Sequence, residues 1–206
     1  MAMVKAGRPR TFDRDEALRH AMETFWARGY GGTSLSDLQT AMGGIAAPSL
    51  YAAFGSKDML FREAVDLYNR SYGAKLLQGL DEASTACEGV AAMLRAALDV
   101  TCRRRGARGC LVVLALSHSE SADAATRAQL KALQQARRDR IKERITRGVR
   151  EGDVSNDADI EMVTAFYSTV LDGVCHQARA NAGRKIIEAA IRGAILAWPM
   201  IVKRAS

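Results

Sequence analysis

The side chains able to do covalent or metal chemistry are few in this chain: Cys87, Cys102, Cys110 and Cys175, with His20, His118 and His176. None of the cysteines forms a C-x-x-C pair, and none has a histidine at metal-ligand spacing, so no metal site is expected. Ser117-His118-Ser119-Glu120 groups nucleophile, base and carboxylate types. Neighbours in sequence do not face one another on a helix, however, and there is no G-x-S-x-G elbow to expose a nucleophile. Nucleotide-cradling glycine loops are missing as well. Neither an enzymatic activity nor a cofactor is expected. Cys110 stands apart: it follows Arg108 and Gly109 at the expected start of a helix, where a positive charge and free amides favour the thiolate.

Composition narrows the remaining classes. Hydrophobic residues make up 48% of the 206 positions, enough for a sizeable core. The longest run of strong apolar residues, Cys110 to Leu116, falls far short of the roughly 18–20 residues that span a bilayer. No membrane association is expected. The N-terminal residues lack the apolar segment of a secretion signal, so the expected location is the cytoplasm, where disulfides are rare. The net charge of +7 favours a polyanionic partner. Yet residues 101–150 carry thirteen basic and four acidic side chains, whereas 11–70 is nearly neutral. Charge alone is therefore a weak argument for DNA.

The elements that must position these residues read as helices. Only Pro9, Pro48 and Pro199 interrupt a chain with 3.6-residue periodicity. A first helix starts at Asp13, with Glu16 at capping-box spacing, and carries Ala17, Leu18, Ala21, Met22, Phe25 and Trp26 on one stripe. Gly29 ends it. A short second helix opens at Ser34, paired with Asp37, and turns at Gly43-Gly44. A short third helix begins near Pro48, which suits a position without an amide partner, and Gly55 stops it. Helices this short must pack on the first to be stable. Longer helices are expected over 57–79, 86–104, 108–119, 122–151, 156–181 and 184–204. The stretch Leu111-Val112-Val113-Leu114 has strand composition but no partner strand, so it is assigned to a helix. The wide apolar face of 184–204 exceeds what one neighbour covers, which points to a subunit interface.

Three helices in about 45 residues, the second pair joined by a glycine turn, form a helix-turn-helix. The stretch Thr33 to Leu60 strongly resembles the DNA-binding domain of the TetR family of bacterial repressors. The matching residues are Thr33, Gly43, Leu50-Tyr51-Ala52-Ala53-Phe54 and Ser56-Lys57-Asp58-Met59-Leu60, with Gly7-Arg8-Pro9-Arg10 and Gly29-Tyr30 before them. One departure stands out: counted from the second helix, the turn is one residue longer, with Gly43 and Gly44 both present. Glycine tolerates the dihedrals needed to absorb the addition.

The resemblance implies an all-α protein. Residues 1–56 would form a three-helix DNA-binding domain with a basic arm, and 57–206 a helical effector-binding and dimerisation domain. Double-stranded operator DNA and a second copy of the chain are the implied partners, the latter through about 156–181 and 184–204. Thr33 and Ser34 lie at a helix N-terminus suited to phosphate. Tyr51 and Lys57 match positions that grip the backbone. Ala46, Ala47, Pro48 and Ser49 open the helix that enters the major groove, where small apolar groups read thymine methyls and shape. Arg8 and Arg10 sit on the arm, within reach of a minor groove. An unidentified small effector is implied, with Met93, Cys110, His118, Phe166 and Tyr167 as candidate pocket residues. Two alternatives stand beside the effector-released repressor. One is a redox or electrophile sensor of the same fold, switching through Cys110, against which stands a buried core cysteine. The other, of a different class, is an enzyme or binding protein that does not bind DNA.

Overall fold

The computed structural model describes residues 13–102, 107–117 and 121–202. Among the described residues the regular structure is helical, with no strand. Helices α1 (Arg14–Arg28), α2 (Leu35–Ala41) and α3 (Ala47–Phe54) come first. Next are α4 (Lys57–Tyr68), a π-helical turn (Asn69–Gly73) and α5 (Ala74–Glu82). Then follow α6 (Ala86–Thr101), α7 (Leu111–Ser117), α8 (Ala124–Glu151), α9 (Ile160–Arg179), α10 (Arg184–Leu196) and α11 (Trp198–Ile201).

Local signals set most of these boundaries. Asp13 caps α1 by accepting from the Asp15 and Glu16 amides. Ser34 and Asp37 close a reciprocal capping box on α2, and Ser56 caps α4 through the Met59 amide. Pro48 occupies the first turn of α3. The apolar stretch at 111–114 is helical, as assigned from its lack of a partner.

Three expected helices differ in outline. The helix expected over 57–79 widens into the π turn and runs on as α5 to Glu82. The one expected over 156–181 starts later, behind the Asp159 cap. The one expected over 184–204 breaks at Leu196, because Pro199 has no N–H to offer the carbonyl of Ile195.

Two apolar cores result. The first joins α1–α4 to the start of α7: Phe25, Trp26, Leu38, Leu50, Phe54, Phe61 and Tyr68 are buried together. Phe25 with Phe61, and Trp26 with Tyr68, pack in T-shaped pairs with ring centroids 4.9 and 4.8 Å apart. The apolar side of α4 thus shares the core of the helix-turn-helix, although the expected boundary falls between 56 and 57. The second core holds α5, α6, α8, α9 and α10 around Met93, Leu94, Ile141, Ile145, Tyr167 and Leu171. At the junction, the Tyr30 hydroxyl donates to Asp58 at 2.7 Å, and Asp58 also accepts from the Asp123 amide at 3.1 Å. Arg62 pairs with Asp123 at 2.8 Å.

Candidate nucleic-acid interface

α3 is anchored on one side and bare on the other. Leu50 and Phe54 are 1% and 2% exposed. Ala46, Ala47, Pro48, Tyr51 and Ala52 are exposed, and Ser49 is half-buried. The C-terminal end of α3 is tied down by Arg14. Its guanidinium donates to the Ala53 carbonyl, pairs with Glu63 at 2.8 Å and stacks 4.5 Å from the Phe54 ring centroid. The bare face lacks charge and carries small side chains, so another backbone can approach it closely.

The two-glycine turn has a specific geometry. Gly43 and Gly44 adopt φ of 82° and 77°, and a Cβ on either would meet nothing within 4 Å. Glycine is needed there for its backbone, not for space. The amides of Gly44 and Ile45 both donate to the Gln39 carbonyl, at 2.9 and 3.2 Å. The Gln39 side chain returns a bond to the Ile45 carbonyl at 3.0 Å. The added residue is thereby pinned into a fixed turn.

The sequence-predicted contacts separate into three groups. Ala46, Ala47, Pro48, Ser49 and Tyr51 lie together on the open face. Lys57 stands beside them at the start of α4, its ammonium 4.3 Å from the Tyr30 ring centroid. Partial burial lowers the pKa of that ammonium, and the nearby Asp58 carboxylate opposes the shift. Thr33 and Ser34 are used by the fold instead. Thr33 is 1% exposed and donates its hydroxyl to the Gly29 carbonyl at 2.7 Å. A phosphate contact through that hydroxyl is therefore corrected to a structural bond. Ser34 is exposed, but its hydroxyl donates to Asp37 at 2.7 Å. Asp37 also pairs with Arg28, so this helix start presents a carboxylate. Arg8 and Arg10 lie outside the described residues.

The effector candidates fare differently. A cavity of about 430 Å³ opens between the π turn and α8, lined among others by Tyr68, Tyr72, Leu76, Cys110, Leu133 and Arg137. Of the predicted residues, Cys110 lines it. Met93 and Tyr167 do not: both are fully buried in the second core, where the Tyr167 hydroxyl donates to the Ala194 carbonyl at 3.0 Å. Phe166 is 38% exposed on the outer side of α9, because one residue from Tyr167 is about 100° around the helix. His118 lies outside the described residues.

Sequence reasoning missed Arg137. This residue lies in the basic stretch of α8, yet it is buried and paired with Asp172. The signal was present: Arg137, Ile141 and Ile145 are four apart and share one side of the helix. Arg14 and Gln39 had no comparable local signal.

Comparison with known proteins agrees with this geometry. Residues 17–64 match the family model described as bacterial regulatory proteins, tetR family, and 86–194 match the tetracyclin repressor-like C-terminal domain. The chain is 29% identical over 205 residues to the HTH-type transcriptional repressor ComR of Escherichia coli (strain K12), covering 96% of this chain and 94% of that one. Among solved structures, a cysteine variant of the TetR family regulator CifR, complexed with 26bp operator DNA, superposes with a TM-score of 0.88 at 44% identity. That alignment covers 94% of this chain and 100% of that one. A TetR regulator from Chloroflexus aurantiacus shares the fold, with a TM-score of 0.80 at 21% identity over 93% of this chain and 96% of that one. The chain belongs to the TetR family: it is a DNA-binding transcriptional regulator, not an enzyme.

Proposed function

We infer that the protein is a homodimeric repressor that binds a two-half-site operator and is released from it by a small effector. The observation that carries this reading is the open face of α3, where Ala46 to Ser49 and Tyr51 stand clear of the core while Leu50 and Phe54 root the helix. Such a face enters a major groove and reads it through methyl contacts and shape. Tyr51 and Lys57 flank it as phosphate donors. ComR, a relative over nearly the whole chain, is a repressor.

Dimerisation is supported by apolar side chains left without cover on α9 through α11. Met162, Phe166, Ile186, Leu196 and Met200 are 38–81% exposed, and pairing with a second copy would bury them. The cavity beside the π turn suits a small, largely apolar effector, since π turns often occur at functional sites. An effector that favours a different separation of the two α3 helices shifts the population toward the released form.

Fluorescence anisotropy with operator DNA tests the contacts. Tyr51→Phe and Lys57→Ala are each expected to weaken binding across sequences, and Lys57→Ala to lower the salt slope by about one unit. Unchanged affinity in both variants would remove these residues from the interface.

A further inference from the structure

Cys110 and Cys175 meet at the floor of the cavity although 65 residues separate them in sequence. The thiols and the Tyr68 hydroxyl share one buried cluster and lie close enough to influence one another. The two are not equivalent. Cys110 lines the cavity and is 8% exposed, whereas Cys175 lies behind it at 1%. A bond from Cys175 holds the Cys110 thiol below its ordinary pKa against the opposing effect of burial, and the Arg137 guanidinium adds to the lowering. The bond to Cys110, reinforced by burial, shifts Cys175 in the opposite direction, upward. A thiol that lines the cavity and is biased toward the thiolate, with a second, less acidic thiol behind it, has the arrangement of an attacking and a resolving thiol.

Both cysteines are also tied to the end of α1. Gly109, next to Cys110, accepts from the Trp26 indole at 2.9 Å. It sits so close to α9 that a Cβ there would lie 3.0 Å from the Cys175 carbonyl, with φ at 81°. One turn beyond Cys175, Arg179 donates to the Trp26 and Ala27 carbonyls at 3.3 and 2.6 Å. A change at the thiol pair therefore reaches α1, which carries α2 and α3, through two separate hydrogen-bonded arms.

We propose that Cys110 and Cys175 are a thiol switch for organic hydroperoxides, closing to a disulfide that repositions the DNA-binding helices. This rests on the DNA-binding repressor reading above. In the first step the Cys110 thiolate attacks the distal oxygen of R–O–O–H. An S–O bond forms, the O–O bond breaks, and the alkoxide takes up the proton the thiol had lost, leaving as ROH. Sulfur is oxidised to the sulfenic acid and the peroxide oxygens are reduced. In the second step Cys175 attacks the sulfenic sulfur. The S–S bond forms, the S–O bond breaks, and the departing hydroxide takes the Cys175 proton as water. A disulfide requires sulfurs about 2.05 Å apart, so the pair must draw together and pull on Gly109 and α9. The aromatic and leucine lining favours an apolar R group over hydrogen peroxide.

The reduced full-length protein is treated with one equivalent of cumene hydroperoxide and mapped by mass spectrometry. Operator affinity and tryptophan emission, the latter in a Trp198→Phe background that isolates Trp26, are followed in parallel. The expected result is a Cys110–Cys175 cross-linked peptide, two of the four thiols lost, and a shifted Trp26 emission. Operator binding weakens by about tenfold, an ordinary size for coupling between sites, and dithiothreitol reverses everything. Cys110→Ser keeps its remaining thiols, and Cys175→Ala stops at the sulfenic acid. Intact thiols, oxidation confined to Cys87 or Cys102, or a Cys110 adduct without the cross-link would overturn the proposal. So would a cross-link that leaves Trp26 emission and operator affinity unchanged. A reduced protein without operator affinity would instead overturn the repressor reading, while the cross-link and Trp26 emission still decide the thiol chemistry.

Discussion

The face of α3 and the cavity by the π turn are built on opposite plans. α3 has no charged side chain of its own and is held by two buried apolar residues, with Arg14 at its end. Its outer surface is left unused by the fold and so is available to DNA. The cavity is walled by residues from α4 through α8, and its arginines are committed: Arg137 to Asp172 and Arg140 to Asp81. One site is a short segment with its back to a core; the other exists only once distant helices have packed. The first should therefore fail through loss of anchoring, the second through loss of charge pairing.

The largest expected effect is on the anchor. Phe54→Ala removes a ring that is 2% exposed together with its Arg14 contact, and should cost about 3–5 kcal/mol. Urea unfolding reads the loss, and operator binding should fall with it. Next is the cavity wall. Asp172→Ala leaves Arg137 buried without its carboxylate, but Asp172 is itself 28% exposed. The full penalty for breaking a buried pair is thus reduced to about 2 kcal/mol. The outer pair Lys142–Glu161 stands in solvent, so breaking it by Glu161→Gln should cost less than Asp172→Ala. Equal losses in these two variants would erase the distinction between inner and outer ion pairs.

Smaller still is the turn. Gly44→Ala meets no atom but forces a side chain onto a left-handed backbone, at about 1 kcal/mol. Cost-free replacement would mean that the turn is not held in this form. The smallest effect is a pH dependence at α2. Bonds from the Ser34 hydroxyl and amide, then Arg28, lower Asp37 from 3.8 to about 2. The folded state thus binds fewer protons than the unfolded state between these values, and stability rises with pH there. Its contribution is complete above about pH 4 and is lost as pH falls through about 2. Asp37→Asn should flatten that part of the acid titration of stability.

The same contrast explains what could be read from the sequence. Ser34-Asp37, Gly43-Gly44, Leu50-Tyr51 and Ser56-Lys57 act within a few residues of themselves, so their spacing announced the helix-turn-helix. Thr33 was placed on the right helix start, but its hydroxyl turned inward, a choice set by the nearby Gly29 carbonyl. The cavity brings together residues as distant in sequence as Tyr68 and Arg137, which no local spacing encodes. Cys110, which lines the cavity, drew attention in the sequence because its arginine and helix start are local. Met93, Phe166 and Tyr167 lie off this cavity, because an apolar stripe does not reveal which neighbour it meets.

The most direct test of the central claim is selection of bound fragments from a random DNA library by the purified dithiol protein at near-physiological salt. A palindrome whose half-sites lie about one helical turn apart or a multiple of it, roughly 34–36 Å per turn, should be enriched. That enrichment should disappear when Tyr51 and Lys57 are replaced together. Uniform, salt-sensitive binding without an enriched sequence would contradict the claim that the open face of α3 reads DNA.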